Sequence, residues 1–293
     1  MLTRRVVQRM FLLRPDEGTN AIFGYCLAEA AERHGVELIA WTAMSNHYHA
    51  IVHDPGGTLP AFLEHFHKML AKTLNAKHER WENLWSTEET CVTRLVTQKD
   101  IDDKVVYVLA NPVAAHLVDR VADWPGASSW GLMGRPPKAV KRPPVFFRRR
   151  RSAMRPAAEL VAVAPPNLKG ESYQQWVARI RRAVALEEDV LRAKRLRSRT
   201  KLVGRKAVLS THPFSGPNKE ARHRKLRPAL ACRDKERMKK ERAILKGFRV
   251  AYAKARRAYV TAKGNGRSAV VFPAGTYLLR CWGVRCEPLR TAA

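Results

Sequence analysis

The chain has 293 residues, and 45% of them are hydrophobic, so length and composition favour one or two globular domains and exclude wholesale disorder. Lysine and arginine number 55 against 26 aspartate and glutamate residues, which gives a net charge of +29. A compact chain with this charge repels itself unless a polyanion or counterions cover its surface. Nucleic acid is therefore the expected partner.

The charge is distributed very unevenly along the chain. Residues 1–135 carry 14 Lys and Arg against 16 Asp and Glu, a net charge of −2, whereas residues 136–293 carry 41 against 10, a net charge of +31. A split of this kind is typical of a protein in which one part performs specific chemistry and another binds a phosphate backbone.

The sequence shows no sign of export or of membrane insertion. The five cysteines form no CxxC pair, and their odd number does not suggest a disulfide framework. The first 13 residues are interrupted by arginines, and no apolar run reaches the ~18 residues that a membrane helix needs. We expect a cytoplasmic protein that is not associated with a membrane.

Hydrophobic periodicity predicts alternating strands and helices in the first half of the chain. Strands are predicted at residues 3–13, 36–44, 47–53 and 84–97, and helices at residues 19–34 and 58–78, with a turn at Ser45-Asn46. The order β-α-β-β-α-β predicts an α+β fold of the ferredoxin-like type, an antiparallel sheet with helices on one face and the other face uncovered.

A further short helix and a basic C-terminal region are predicted after this unit. The helix, at about residues 100–111, begins at a cluster of acidic residues, ends at Pro112 and carries Tyr107. Residues 136–166 are rich in proline and arginine and are predicted to form an exposed linker. The predicted domains are thus residues 1–135, the linker, and a mainly helical region at 167–293, with long basic helices at 173–199 and 234–263 and an apolar hairpin at 270–288.

The strand at residues 47–53 contains two histidines that can share a ligand. Side chains at i and i+2 of a strand point to one face, which makes His47 and His49 neighbours. Two imidazoles can hold a metal ion and leave positions for water, phosphate oxygens and another protein ligand. Taken alone the HxH pattern is weak, because two polar residues on an exposed face are the more common explanation.

The helix after the sheet offers a nucleophile and a further ligand. Tyr107 and Asn111 are four residues apart and share a helix face, so the phenol and the amide oxygen can reach one point. Separately, a core tyrosine and a helix-ending asparagine before proline would be the more common interpretations.

Several motifs in the first 135 residues resemble the single-tyrosine HUH transposases. MSNHYHAIV (residues 44–52) is similar to the signature strand of that family, with Tyr48 as the bulky residue between two histidines. YVLANPV (107–113), DWPGASSW (123–130) and the opening TRRVVQRMFLL resemble the REP-associated tyrosine transposase branch. The resemblance implies that His47, His49 and Asn111 bind the metal and that Tyr107 is the nucleophile, while His53 falls outside the motif and is interpreted as a surface histidine.

The resemblance also implies a reaction. With Mg²⁺ or Mn²⁺ at the scissile phosphate, the tyrosine would attack single-stranded DNA and leave a 5′-phosphotyrosine and a 3′-OH. Another 3′-OH could reverse this step without ATP, because the linkage conserves the bond energy. A ligand set of two imidazoles and one amide is neutral, so metal affinity should be modest until DNA binds, and Zn²⁺ would bind more tightly but prefers four-coordinate geometry.

The basic half is predicted to bind the DNA, with a hairpin as the substrate that the resemblance implies. Its cations and aromatic residues could contact phosphates and bases, although for any single aromatic a place in the core is more common. The candidate phosphate-binding residues are Arg148, Arg149, Arg150 and Arg151, and the interleaved aromatics are Tyr173, Trp176, Phe248, Tyr252 and Tyr259.

Two other functions and two oligomeric states stay open at this point. The chain could be a non-catalytic nucleic-acid-binding protein that keeps the transposase fold, or a basic protein associated with RNA or the ribosome. Single-tyrosine enzymes work as dimers that exchange the nucleophile helix or, in the REP-associated branch, as monomers, so both a monomer and a homodimer are compatible with the sequence.

Overall fold

A four-stranded antiparallel sheet dominates the computed structural model, which describes residues 1–145, 154–217, 227–262, 264–277 and 284–287. The strands are β1 (Leu2–Arg5), β2 (Glu37–Met44), β3 (His47–His53) and β4 (Cys91–Val92), in the order β2-β3-β1-β4. Helices α1 (Glu17–His34) and α2 (Leu59–Lys77) lie between them in sequence. The predicted element order and α+β class are confirmed.

The first and last strands of the sheet are shorter than predicted. β1 ends at Arg5, because Gln8 and Arg9 adopt φ of 48° and 56° in a short 3₁₀ turn, a left-handed conformation that a strand cannot contain. The predicted strand at residues 84–97 is reduced to β4 and to β5 (Arg94–Leu95). Later in the chain β8 (Leu230–Ala231) pairs with β5 in parallel.

The side chains of β3 alternate between two packed faces of the sheet. Tyr48 is buried on the face covered by α1 and α2, where its ring centroid lies 5.9 Å from that of Phe23 and 5.4 Å from that of Phe66. Its hydroxyl forms a 2.6 Å hydrogen bond with Nε2 of His67. Because neighbouring residues of a strand point in opposite directions, the adjacent histidines are directed to the other face.

That other face is covered by α3 (Gln98–Ala114), so the expectation of an uncovered face was wrong. A capping box of Thr97 and Asp100 begins the helix, with the Asp100 amide 3.1 Å from Oγ1 of Thr97. The predicted end at Pro112 was also wrong. Proline removes one helical hydrogen bond, but the Ala115 amide still donates to the Asn111 carbonyl at 2.9 Å.

The outer edge of β2 is covered by the segment that contains DWPGASSW. The Ala43 amide donates to the Ala127 carbonyl at 2.8 Å, and the Ser129 amide donates to the Trp41 carbonyl at 2.9 Å. Nε1 of Trp124 donates to the Ala43 carbonyl at 3.1 Å, and a Cβ at Gly126 would clash with that indole. This motif therefore has a structural role in closing a sheet edge.

The predicted linker contains packed structure. β6 (Lys138–Lys141) and β7 (Ala157–Leu160) pair as an antiparallel ribbon, and Ala158 and Leu160 are buried, with Leu160 against Gly24 of α1. Every second residue of β7 is buried, so these two apolar side chains belong to the core despite the basic, proline-rich composition around them. For the described parts of this range, residues 136–145 and 154–166, the interpretation as an exposed linker was wrong.

Helix α4 (Tyr173–Arg197) packs against α3. Trp176 is buried, and its Nε1 donates to Oδ1 of Asp102 at 2.8 Å, while Nη1 of Arg179 contacts Oδ2 of the same carboxylate at 2.7 Å. Trp176 is thus a core residue of the interface between the two helices. A short helix, α5 (Arg205–Ser210), follows.

The chain divides into two compact units, Met1–Ala231 and Cys232–Ala293, so the observed division differs from the predicted boundary at residues 136–166. The second unit contains α6 (Lys235–Thr261), β9 (Val271–Phe272) and β10 (Arg285–Cys286). β9 and β10 pair in parallel, so the predicted antiparallel hairpin was wrong. Phe272 packs against Tyr252 and Tyr259, with ring centroids 5.7 and 5.9 Å apart.

Two sequence expectations concern cysteines and membranes. Cys26, Cys91, Cys232 and Cys286 are thiols, and Cys281 lies outside the described residues. Within the described ranges no helix has the length and apolar character needed to cross a bilayer.

The predicted DNA-binding residues Arg148, Arg149, Arg150 and Arg151 also lie outside the described residues.

Candidate metal and nucleophile site

His47 and His49 lie side by side on the α3 face of β3. Their ring centroids are 4.9 Å apart, with the two planes at 83°. His49 is buried and His47 is half-buried. The strand geometry therefore brings the two imidazoles together as predicted.

Each imidazole is held at Nδ1 by a neighbouring oxygen. Nδ1 of His47 lies 2.7 Å from Oδ1 of Asn46, and Nδ1 of His49 lies 2.8 Å from Oγ1 of Thr3, its cross-strand partner in β1. A proton on Nδ1 that is donated to such an oxygen leaves the lone pair of Nε2 available. Outer oxygens used in this way fix the ring orientation and the tautomer of metal-binding histidines.

The surroundings keep both imidazoles neutral. Burial, with smaller contributions from the positive charges of Arg5 and Lys104, lowers the pKa of His49 to about 4. Burial, together with His49 and nearby arginines, lowers the pKa of His47 well below its usual value. A neutral imidazole is the form that binds a metal ion, so the pair is ready as a ligand at neutral pH.

Tyr107 lies beside this pair. Its ring centroid is 5.5 Å from that of His49, with an interplanar angle of 68°, and 44% of the residue is exposed. Lys104, one helical turn earlier on α3, places its Nζ 5.3 Å from the centre of the tyrosine ring. The phenol therefore reaches solvent next to both a cation and the histidine pair, and all of these residues belong to one chain.

The structure does not connect Asn111 to the other candidate residues. It lies one turn after Tyr107 on α3 and is half-buried, and its side chain makes no hydrogen bond to any residue that the structure describes. Its role as a ligand stays a prediction. His53 lies close to the surface, where Nδ1 contacts Oε2 of Glu37 at 2.8 Å, in agreement with its interpretation as a surface histidine.

The imidazole nitrogens of His47 and His49 are suitable as a pair of ligands for a divalent cation. Both imidazoles are neutral, are oriented through Nδ1 and make no hydrogen bond through Nε2 within the described part of the chain. In that same part, no group of three or more His, Cys, Asp and Glu side chains is arranged to hold a metal ion. Further ligands would have to come from an amide, from water or from phosphate oxygens.

Sequence reasoning missed three residues of this site. Thr3 and Asn46 orient the histidines, and Lys104 supplies the cation beside the phenol. Asn46 directly precedes His47 and was assigned only to a turn. Lys104 is three residues before Tyr107, a spacing that places two side chains together on a helix and could have indicated the contact.

Fold and site together define an α+β protein whose antiparallel sheet carries a neutral histidine pair beside an exposed tyrosine. No family model matches the chain, and no curated protein matches it. Among solved structures, the chain is similar to one described as a REP-associated tyrosine transposase bound to a REP hairpin. The two share 20% sequence identity with a TM-score of 0.37, over 50% of this chain and 89% of that one.

Proposed function

We propose that the chain is a metal-dependent enzyme that nicks and rejoins single-stranded DNA through a 5′-phosphotyrosine at Tyr107. The single observation that carries this proposal is the position of the Tyr107 phenol beside His49 of the neutral imidazole pair. The motifs at residues 44–52 and 107–113, which resemble those of the REP-associated tyrosine transposases, support it. The substrate is DNA with a hairpin of the REP type.

In this proposal His47, His49 and Asn111 hold one Mg²⁺ or Mn²⁺. When bound, the cation would neutralise the charge that develops on the scissile phosphate. Thr3 and Asn46 contact the two rings at Nδ1, which leaves both Nε2 atoms for the cation. Tyr107 stands on α3, which the contacts of Asp102 with Trp176 and Arg179 fix to α4.

The covalent step exchanges one ester bond for another. Oη of Tyr107 forms a bond to phosphorus and loses its proton to solvent, while the bond between phosphorus and the 3′ oxygen breaks and that oxygen takes up a proton. Lys104 offsets the negative charge of the attacking phenolic oxygen. In the return step a 3′-OH attacks the phosphotyrosine, and Oη of Tyr107 leaves.

The basic second unit is suited to binding the duplex stem of a hairpin. Helix α6 carries 10 Lys and Arg residues against two Glu over 27 residues, and an α-helix fits the major groove of B-DNA. Attraction to phosphates would place the protein on the nucleoid in a bacterial cytoplasm. His47, His49 and Tyr107 come together within one chain, as a working monomer requires.

The experiment is a covalent-adduct assay with the full chain, Mn²⁺ and a panel of single-stranded hairpin oligonucleotides labelled at either end. A 5′-phosphotyrosine retains the DNA on the 3′ side of the nick, so 3′-labelled DNA should give a denaturant-resistant labelled protein band. The 5′ label should instead appear on a shortened free strand. Tyr107→Phe should abolish both products, and chelation of the metal by EDTA should do the same.

Tyr277→Phe is the matched control, because Tyr277 is a partly exposed tyrosine of the second unit that lies outside α6. This variant should retain full adduct formation. If wild-type protein binds the hairpins but forms no adduct with any of them, the non-catalytic DNA-binding alternative is correct.

A further inference from the structure

A cavity of about 400 Å³ lies between the second half of α2 and the loop that follows it. This volume falls in the range of small-ligand sites. We call it the loop pocket, and its lining side chains come from Arg4 of β1, from α2 and from residues 81–87. Those used below are Arg4, Lys72, Asn75, Trp81, Trp85 and Ser86.

Three buried polar atoms of the loop pocket lack a hydrogen-bond partner within the described residues. They are Nε of Arg4, Oδ1 of Asn75 and Oγ of Ser86. Their residues are held in place by other contacts: Nη1 of Arg4 donates to Oγ1 of Thr90 at 3.0 Å, and Nδ2 of Asn75 donates to the Glu82 carbonyl at 2.6 Å. A buried polar group without a partner is unfavourable, so a ligand that pairs with these atoms would bind well.

The aromatic side chains of the loop pocket add a surface for a flat ligand. Trp81 is 99% exposed, so its indole is open to stacking by a ligand. Trp85 is fixed, because its Nε1 donates to the His67 carbonyl at 3.0 Å and the Arg4 guanidinium lies 5.8 Å from the centre of its ring. The pocket therefore combines an exposed ring, a donor, an acceptor and a hydroxyl.

The loop pocket adjoins the same end of the sheet as the histidine pair. The Ser86 amide donates to the Arg5 carbonyl at 3.0 Å, and Arg5 is the cross-strand partner of His47. Arg4 faces the α1 and α2 side together with its partner Tyr48, whereas the histidines face α3. A strand of DNA that contacts both places would have to pass over this end of the sheet.

We propose that the loop pocket binds one unpaired nucleobase of a single-stranded segment of the DNA. The base stacks on Trp81, and small movements of the Arg4, Asn75 and Ser86 side chains let its edge pair with the three buried atoms Nε, Oδ1 and Oγ. Every nucleobase offers a π face together with donors and acceptors along its edge, which matches these groups. Lys72 and Arg4 supply positive charge for the attached phosphates. This inference rests on the proposed function only in taking single-stranded DNA as the ligand.

The test compares the affinity of the full chain for two fluorescent 12-mers, measured by anisotropy in EDTA. One is single-stranded DNA of randomised sequence, and the other is the same backbone with abasic sites throughout. Loss of one stacked base corresponds to roughly a 5- to 150-fold weaker Kd. We expect Trp81→Ala to weaken binding of the base-containing strand by a factor in this range, Trp81→Phe to weaken it less, and both to leave the abasic strand unaffected.

Ser86→Ala separates binding from folding. It removes a buried hydroxyl that has no partner, so the melting temperature should stay the same or rise while the base-containing strand binds more weakly. Leu186→Ala is the control, since Leu186 is an exposed apolar residue on α4, away from the pocket lining, and its loss should not alter either affinity.

Equal losses on the two strands in Trp81→Ala, or unchanged binding in both Trp81→Ala and Ser86→Ala, would overturn the proposal. So would wild-type protein that binds the abasic strand as tightly as the strand with bases. Because the assay contains no metal and forms no covalent bond, its result is independent of the adduct assay. Base-dependent binding without adduct formation would support base binding in the loop pocket and contradict the proposed nuclease activity.

Discussion

Tyr107 and His49 face each other across the contact between α3 and β3, with their ring centroids 5.5 Å apart. The two residues are 58 positions apart in sequence and belong to elements of different type. Their contact brings the phenol, the imidazole pair and the Lys104 cation into one place at the surface of the sheet. Each of these groups can be changed separately.

The hydrogen bond between Thr3 and His49 should control metal affinity. Thr3→Val keeps the shape of the side chain but removes the oxygen 2.8 Å from Nδ1, so the imidazole loses its preferred orientation. We expect the affinity for Mn²⁺, measured by titration with and without bound hairpin DNA, to fall by roughly 10- to 100-fold. Thr3→Ser keeps the hydroxyl and should retain most of the affinity. Wild-type affinity in Thr3→Val would show that this bond does not position the ring.

Lys104→Met should slow adduct formation without preventing it. The Lys104 cation, 5.3 Å from the centre of the Tyr107 ring, should stabilise the charge that develops on the attacking oxygen by about 1 kcal/mol at this partly exposed position, which corresponds to roughly a fivefold lower rate on its removal. Lys99→Met is the matched control, because it removes the same charge from the same helix at a residue that pairs with Asp103 at 3.5 Å. Equal slowing in the two variants would indicate a general loss of attraction for DNA, which single-turnover rates at saturating DNA can separate.

Asp16 should make the stability of the first unit depend on acid pH. Burial opposes ionisation, but hydrogen bonds from Lys77 and Thr19 outweigh it and lower the pKa of Asp16 to about 2, from 3.8. A carboxyl with a lowered folded-state pKa stabilises the fold above pH ~4, and this contribution is lost as the pH falls towards about 2. It amounts to about 2 kcal/mol at neutral pH.

Asp16→Asn tests this contribution, because asparagine can still cap α1 while the charge is removed. Urea unfolding at pH 7 should show a variant less stable by about 2 kcal/mol, and the difference should shrink between pH 4 and pH 2.5. A difference that does not change with pH would assign the effect to packing.

Helix α4 should be required for the first unit to fold. A fragment of residues 1–135 lacks the buried Trp176, Ile180 and Val184 that cover α3, and the loss of one buried tryptophan alone costs about 3 to 5 kcal/mol. We expect this fragment to aggregate or to unfold without a cooperative transition, whereas residues 1–231 should elute as one species and melt cooperatively. Equal melting temperatures for the two fragments would show that the first 135 residues are self-sufficient.

Local patterns were enough to predict the elements that position the site. The strand at residues 47–53 was predicted with its observed bounds, because a turn precedes it and apolar strand-forming residues fill it. The hydrophobic periodicity of α1 and α2 placed both helices to within two residues. Since side chains at i and i+2 share a strand face, the pairing of His47 with His49 followed directly.

What could not be predicted depends on contacts between distant parts of the chain. The bond from Thr3 to His49 requires the register of β1 on β3, and the burial of Trp176 requires α4 to lie on α3. The early end of β1 depends on left-handed backbone at Gln8 and Arg9, two residue types that seldom adopt it. The basic, proline-rich composition around Ala158 and Leu160 also gave no indication that these two residues are buried.

Because side chains alternate between the two faces of β3, three consecutive residues are under two different selective constraints. Tyr48 is enclosed by Phe23 and Phe66 and is needed for folding, whereas the histidines on either side serve the opposite surface. Under the proposed function, a gene copy that no longer needs catalysis would therefore accumulate changes at positions 47 and 49 while the tyrosine between them is retained. Under the same proposal, related sequences could be sorted into catalytic and non-catalytic ones by reading that single tripeptide.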